Sequence, residues 1–84
     1  MVYDGFDFLS DSLSYSAIEN PICKHYNLGF ASSSDFTELV EGKSIGVTII
    51  GTKGSVACGV VAYKDKNSGL YKVQVSRADV KYRK

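Results

Sequence analysis

The sequence predicts an α+β domain in which two N-terminal helices pack on a three- to four-stranded antiparallel sheet. Three observations carry that expectation. Apolar residues recur at helical spacing near the start, Asn20-Pro21 interrupts that run, and from Ser44 onward apolar and polar residues alternate. The 84 residues make one domain, 1–84, with helices expected over about 6–29 and strands over about 36–82.

In "DGFDFLSDSLSYSAIEN", Phe6, Leu9, Leu13 and Ala17 form a stripe at spacings of three and four, widened by Phe8 and Ile18. Asp4 is the candidate N-cap, and acids in the first turn favour the helix dipole. Asn20 then caps a second, shorter helix with Pro21 at its first position, where the missing N–H costs nothing. Gly29 takes the left-handed position that ends it, and Ile22 and Tyr26 face the core.

"FASSSDF" reads as a loop, and Phe36 to Glu41 as a first candidate strand closed by Gly42. Ile45, Val47 and Ile49 then share one strand face. Gly51 and Gly54 are expected to supply positive φ for a tight hairpin with Lys53 at its tip. Val56, Cys58, Val60 and Ala62 alternate with Ala57, Val61 and Tyr63, and "DKNSG" (65–69) makes a second turn. In the last strand Tyr71, Val73 and Val75 share a parity that switches to Ala78, Val80 and Tyr82. A bulge near Ser76-Arg77 restores the inward face.

The net charge of +1 conceals a split. Residues 1–42 carry seven acids (Asp4, Asp7, Asp11, Glu19, Asp35, Glu38, Glu41) and one base, Lys24, whereas residues 43–84 carry nine bases and two acids, Asp65 and Asp79. The plain expectation is an acidic helical layer on a basic sheet, with fields that largely cancel. An apolar content of 44% and a charged content of 23% argue against disorder. No run approaches the roughly 18 apolar residues that span a bilayer. The start, "MVYDGFDFLSDSLS", has the pattern of neither a secretory leader nor a mitochondrial presequence, so the chain as given is expected to be soluble.

Candidate chemistry is sparse. "EGKS" and "GTKGS" fail the spacing of a phosphate-gripping loop, and both lead into strands rather than helices. His25 with Cys23 and Cys58 offers no close-spaced pair of the zinc type, and a Cys-His nucleophile pair lacks an orienting third group. Two cysteines make no disulfide framework, and free thiols are favoured. Asp7 and Asp11 would share a solvated helix face. No catalytic residue, metal or cofactor is therefore assigned. The tail "SRADVKYRK" has the charge and aromatic character of a single-strand nucleic-acid contact, but Tyr82 shares parity with Val80 and is expected to pack inward.

The order of these pieces ("YSAIENP", "ICKHYNLG", "SIGVTIIGTKGSVACGVVAYK", "GLYKVQVSRADV") resembles the cytochrome c oxidase assembly factor one family. That family is related to the twenty-one-type subunit of the mitochondrial inner-membrane translocase. The resemblance spans roughly residues 9–80 by element order. It departs at the proline common after Leu-Gly, at Tyr71 where tryptophan is typical, and at the N-terminal membrane helix, none of which this chain carries.

The resemblance implies a non-enzymatic protein-interaction module. Its partners would be respiratory-chain or translocase subunits beside the mitochondrial inner membrane, and it would be membrane-bound only through an anchor outside this sequence. Lys53, Lys64, Lys72 and Lys81 are the expected partner-binding display. Two other readings compete. One is a module for nucleic acid or another anionic partner through the basic half, whose binding would fall by orders of magnitude with salt. The other is a small phage- or pathogen-type inhibitor that uses the acidic segment as a decoy.

Overall fold

The computed structural model describes residues 5–35 and 39–83. Strand β1 (Phe6–Ser10) leads into a single helix, α1 (Tyr15–His25), followed by β2 (Ala31–Asp35), β3 (Ile45–Gly51), β4 (Gly54–Lys64) and β5 (Tyr71–Tyr82). The five strands form one antiparallel sheet in the order β1-β5-β4-β3-β2, curled into a half-barrel. This corrects the expectation of two helices on three or four strands.

The first helix is a strand because "FDFLS" carries two periods at once. Phe6, Phe8 and Ser10 alternate with Asp7 and Leu9, and the alternating set turns inward when β1 pairs with β5, Phe8 opposite Val73. Aromatic residues fit that pleated, half-buried surface. The serines that follow fold on themselves, with the Ser10 hydroxyl donating to the Ser12 carbonyl at 2.6 Å, which ends the strand. The proposed N-cap Asp4 lies outside the described residues.

The Asn20-Pro21 break is also corrected. α1 runs through Pro21, and neither Asn20 nor Pro21 starts a helix. Ile18 and Ile22, four apart, are both fully buried, so continuity of the helix keeps both in the core. The helix closes with Asn27 in the left-handed region (φ 58) rather than with Gly29. The Leu28 N–H donates to the Cys23 carbonyl at 2.9 Å and the Asn27 N–H to the Lys24 carbonyl at 3.3 Å, the paired bonds of a Schellman end. The His25 ring stacks on Phe6 at 3.7 Å between centroids, tying the end of α1 to β1.

The serine-rich segment is β2, not a loop, and pairs with β3 from Ala31 opposite Gly51 to Asp35 opposite Thr48. Of the strand expected at 36–41, Phe36–Glu38 lie outside the described residues, and Leu39 to Glu41 are not strand. They run past the end of β4, where the Glu41 carboxylate accepts the Lys64 N–H at 2.6 Å.

From Ser44 onward the expected pattern holds. Val47 and Ile49 on β3, Val56, Cys58, Val60 and Ala62 on β4, and Val73 and Val75 on β5 face inward and pack against Ile18, Ile22, Cys23, Tyr26 and Leu28. α1 lies across the open side of the curl, touching β1, β2 and β3. The bulge is present: Ala57 pairs with Asp79 and Gly59 with Ser76, so Arg77 and Ala78 together oppose Cys58. Ala78 and Val80 then pack on the core from the switched parity. Tyr82 is exposed, but its hydroxyl donates to the Tyr26 carbonyl at 2.8 Å, satisfying an acceptor at the helix end.

The bulge holds Arg77 at φ 55, where a side chain is strained. Arg77→Gly is expected to raise stability by about 1 kcal/mol, relief of that strain exceeding the entropy glycine adds to the unfolded chain. A urea midpoint at or below that of the parent would refute it.

The hairpin at Thr52-Lys53 forms, but for a different reason than expected. The glycines with positive φ among the described residues are Gly29, Gly42 and Gly69, not Gly51 or Gly54. Glycine at 51 and 54 is a matter of space. A Cβ on Gly51 would collide with the Leu28 carbonyl oxygen, and one on Gly54 with that of Lys81. The neighbouring backbones come this close because they are bonded to the turn. The Lys53 N–H donates to the Leu28 carbonyl (2.7 Å), the Thr52 N–H to that of Phe30 (2.9 Å), and the Arg83 N–H to that of Lys53 (2.9 Å).

Candidate functional site

The strand order redistributes the charge split. The acidic half supplies both sheet edges, β1 and β2, and the basic half supplies the three central strands. No acidic helical layer forms, since α1 holds Glu19 alone among acids against Lys24 and His25 in its last turn. Asp7 and Asp11 share no helix face, because Asp7 sits on β1 and ion-pairs with Lys72 at 3.3 Å. Both partners are half-exposed, so the pair contributes at most about 1 kcal/mol.

The four lysines of the expected display fall into two groups. Lys64 ends β4 with its ammonium 4.6 Å from the centre of the Tyr71 ring, and Lys72 lies opposite Tyr63 on the neighbouring strand. Lys53 tips the hairpin at the other end of β4, and Lys81 pairs with Ser55 just inside it. An eleven-residue strand separates the groups by roughly 33 Å, so they do not act on one small ligand.

Of the first group, Lys72 belongs to a mixed surface, whereas Lys64 and Tyr71 turn to the other face. On the outer face of the sheet, Leu9, Lys72 and Tyr63 stand in one cross-strand row over β1, β5 and β4. Leu9 is 52% and Tyr63 50% exposed. Directly opposed side chains on adjacent strands touch, so the row is a continuous amphipathic strip with Asp7 beside it. Sequence reading found Lys72 but not the strip. In sequence Leu9 reads as part of a helix core, and the adjacency of β1 to β5 carries no local signal.

Of the second group, Lys53 but not Lys81 borders a groove of about 630 Å³ between the end of α1 and the hairpin tip, lined by Asn20, Lys24, Asn27, Phe30, Thr52 and Lys53, among others. Phe30 is 84% exposed here. The composition of "FASSSDF" signals only a loop and gives Phe30 no mark of its own.

Both thiols are free and buried on the core side. Burial pushes the Cys58 thiol up to about 11 from 9.0, and burial followed by the Glu19 charge raises that of Cys23. The unfolded chain ionises Cys58 near 9.0, so its contribution to stability is complete below that pH and lost as pH rises toward 11. Alkaline titration is therefore expected to show a stability loss between pH 9 and 11 that is smaller in Cys58→Ala. Equal losses in the two proteins would remove the thiol as the cause. No group of three or more potential metal ligands occurs among the described residues. No helix there is long and apolar enough to cross a membrane.

Comparison with known protein families, with curated proteins and with solved structures gives no match. The comparisons neither support nor refute the resemblance to the assembly-factor family, whose pieces were the segments "YSAIENP" and "ICKHYNLG", the hairpin and the two long strands. In this fold "YSAIENP" and the start of "ICKHYNLG" form one continuous helix, α1, while the hairpin and long strands are β3, β4 and β5.

Proposed function

We propose that this chain is a non-enzymatic protein-interaction module whose contact surface is the outer face of the sheet across β1, β5 and β4. The observation that carries the reading is the Leu9–Lys72–Tyr63 row. Two large apolar side chains, each about half exposed, flank a lysine on a rigid three-strand platform. Interfaces draw their affinity from such anchors, aromatic ones above all, inside a polar rim. The Lys72 ammonium at the centre of the row is fixed by its ion pair with Asp7 at 3.3 Å. The partner is a protein, with no organelle attached to the proposal.

A photo-crosslinking residue placed at Tyr63 in cells is expected to capture a discrete protein partner. The same residue at Asn67, in the turn beyond β4, is expected to capture none. Leu9→Asp should reduce the Tyr63 adduct at least tenfold while the fold survives, since Leu9 points outward. Adducts of equal yield at both positions, or adducts to nucleic acid alone, would overturn the proposal.

A further inference from the structure

The geometry points to a second binding site, for an acidic peptide segment carrying an apolar residue, in the groove between the end of α1 and the Thr52-Lys53 hairpin. It stands apart from the outer sheet face and does not depend on it. Phe30 is the first observation. Its ring is 84% exposed, the highest value among the large apolar residues of the described chain. Its backbone has no freedom to withdraw, because Phe30 donates its N–H to the Thr52 hydroxyl at 3.2 Å and accepts the Thr52 N–H at 2.9 Å. The ring is thus held out on a fixed stem, which removes much of the ordering cost of using it as an anchor.

Charge is the second observation. The described residues lining the groove include two cations, Lys24 and Lys53, and no carboxylate, against the single Glu19 charge that acts on Cys23 in the same lining. The negative end of α1 opposes an incoming anion only weakly, because most of its last carbonyls already accept protein donors. The Ile22 carbonyl accepts from Tyr26, Cys23 from Leu28, Lys24 from Asn27, and Tyr26 from the Tyr82 hydroxyl. A cation stands on the helix side and another on the hairpin side of an exposed ring. A carboxylate on either flank of an apolar side chain would meet both, with the apolar group on Phe30. A single-stranded nucleic acid also combines negative charge with a stacking face. The near-neutral chain and the division of its lysines between two ends of the sheet favour the peptide.

The test is selection of a displayed random-peptide library against the full chain, followed by affinity measurement on the recovered peptides and on an oligothymidine probe. The expected peptides are enriched in Asp or Glu around an aromatic or aliphatic residue. Their affinity should fall at least tenfold in Phe30→Ala and in the double variant Lys24→Glu, Lys53→Glu, and be unchanged in Leu9→Asp and Tyr63→Ala. All three residues changed in the first two variants are exposed, and matched thermal midpoints will show that the fold is intact. Leu9→Asp and Tyr63→Ala separate this site from the outer face, since loss there with retention in Phe30→Ala marks the other surface. Recovered peptides without acidic enrichment, binding indifferent to Phe30, or tight binding of oligothymidine alone through the same lysines would each overturn the assignment.

Discussion

Replacing Gly51 with alanine is expected to destabilise the protein by about 3 kcal/mol and lower its melting temperature by roughly 15 °C. The added methyl would be driven into the Leu28 carbonyl oxygen and would also press on the Leu28 side chain, which is fully buried. Neither can yield cheaply. That carbonyl accepts the Lys53 N–H at 2.7 Å, so moving it breaks a hydrogen bond at the point where the hairpin is tied to the end of α1. Gly46→Ala is the matched comparison, since a Cβ there meets nothing within 4 Å. That change is expected to be neutral or to stabilise by about 0.5 kcal/mol by narrowing the unfolded ensemble. Thermal melts of the two variants side by side decide the matter. Equal melting temperatures would mean that Leu28 does not press on the hairpin.

Pro21→Ala is expected to stabilise by about 2 kcal/mol, the opposite sign to most substitutions. In mid-helix the proline leaves the Ala17 carbonyl without its usual donor and crowds the preceding turn. Alanine restores the bond and has the best helix propensity. Had Pro21 opened a second helix, alanine would gain nothing and would lose a favourable first-turn residue. The denaturant midpoint of this one variant therefore distinguishes a continuous helix from two, and a midpoint that falls would argue for the break.

The proline also explains where sequence reading stopped. The boundary rule at Asn20-Pro21 weighs a local cost of about 3 kcal/mol. Burial of Ile18 on one side and Ile22 on the other offsets it, each fully buried side chain contributing about 1.5–3 kcal/mol. Which isoleucines share a core is a tertiary fact, invisible in a window of ten residues. The β1 segment failed for a related reason. Phe6 and Leu9 satisfy a helical spacing and Phe6 and Phe8 a strand spacing. Only the presence of β5 as a partner selects the second.

Beyond Ser44 the partners are sequence neighbours, so alternation alone placed Val47, Ile49, Val56, Val60, Val73 and Val75 inside and located the bulge at Arg77. Even there the reason for Gly51 and Gly54 was misread, because the obstacle is Leu28 and Lys81, both remote in sequence. The site was legible in the same uneven way. Each lysine was recognisable as a solvated charge. Their division between two ends of the sheet, and the neighbours Tyr63, Leu9 and Phe30 that give each group a shape, required the strand order.

That strand order also sets how the molecule must assemble. The β3-β4 and β4-β5 ribbons close over short connections and can form early, whereas β1 finds its place only against β5, almost the whole chain away. Joining such distant segments costs loop-closure entropy before any contact is gained, so docking of β1 is expected to be the slow, late event in folding. A chain growing from the ribosome would hold Phe6 and Phe8 unsheltered until β5 had cleared the exit tunnel, an interval in which a chaperone has something to hold.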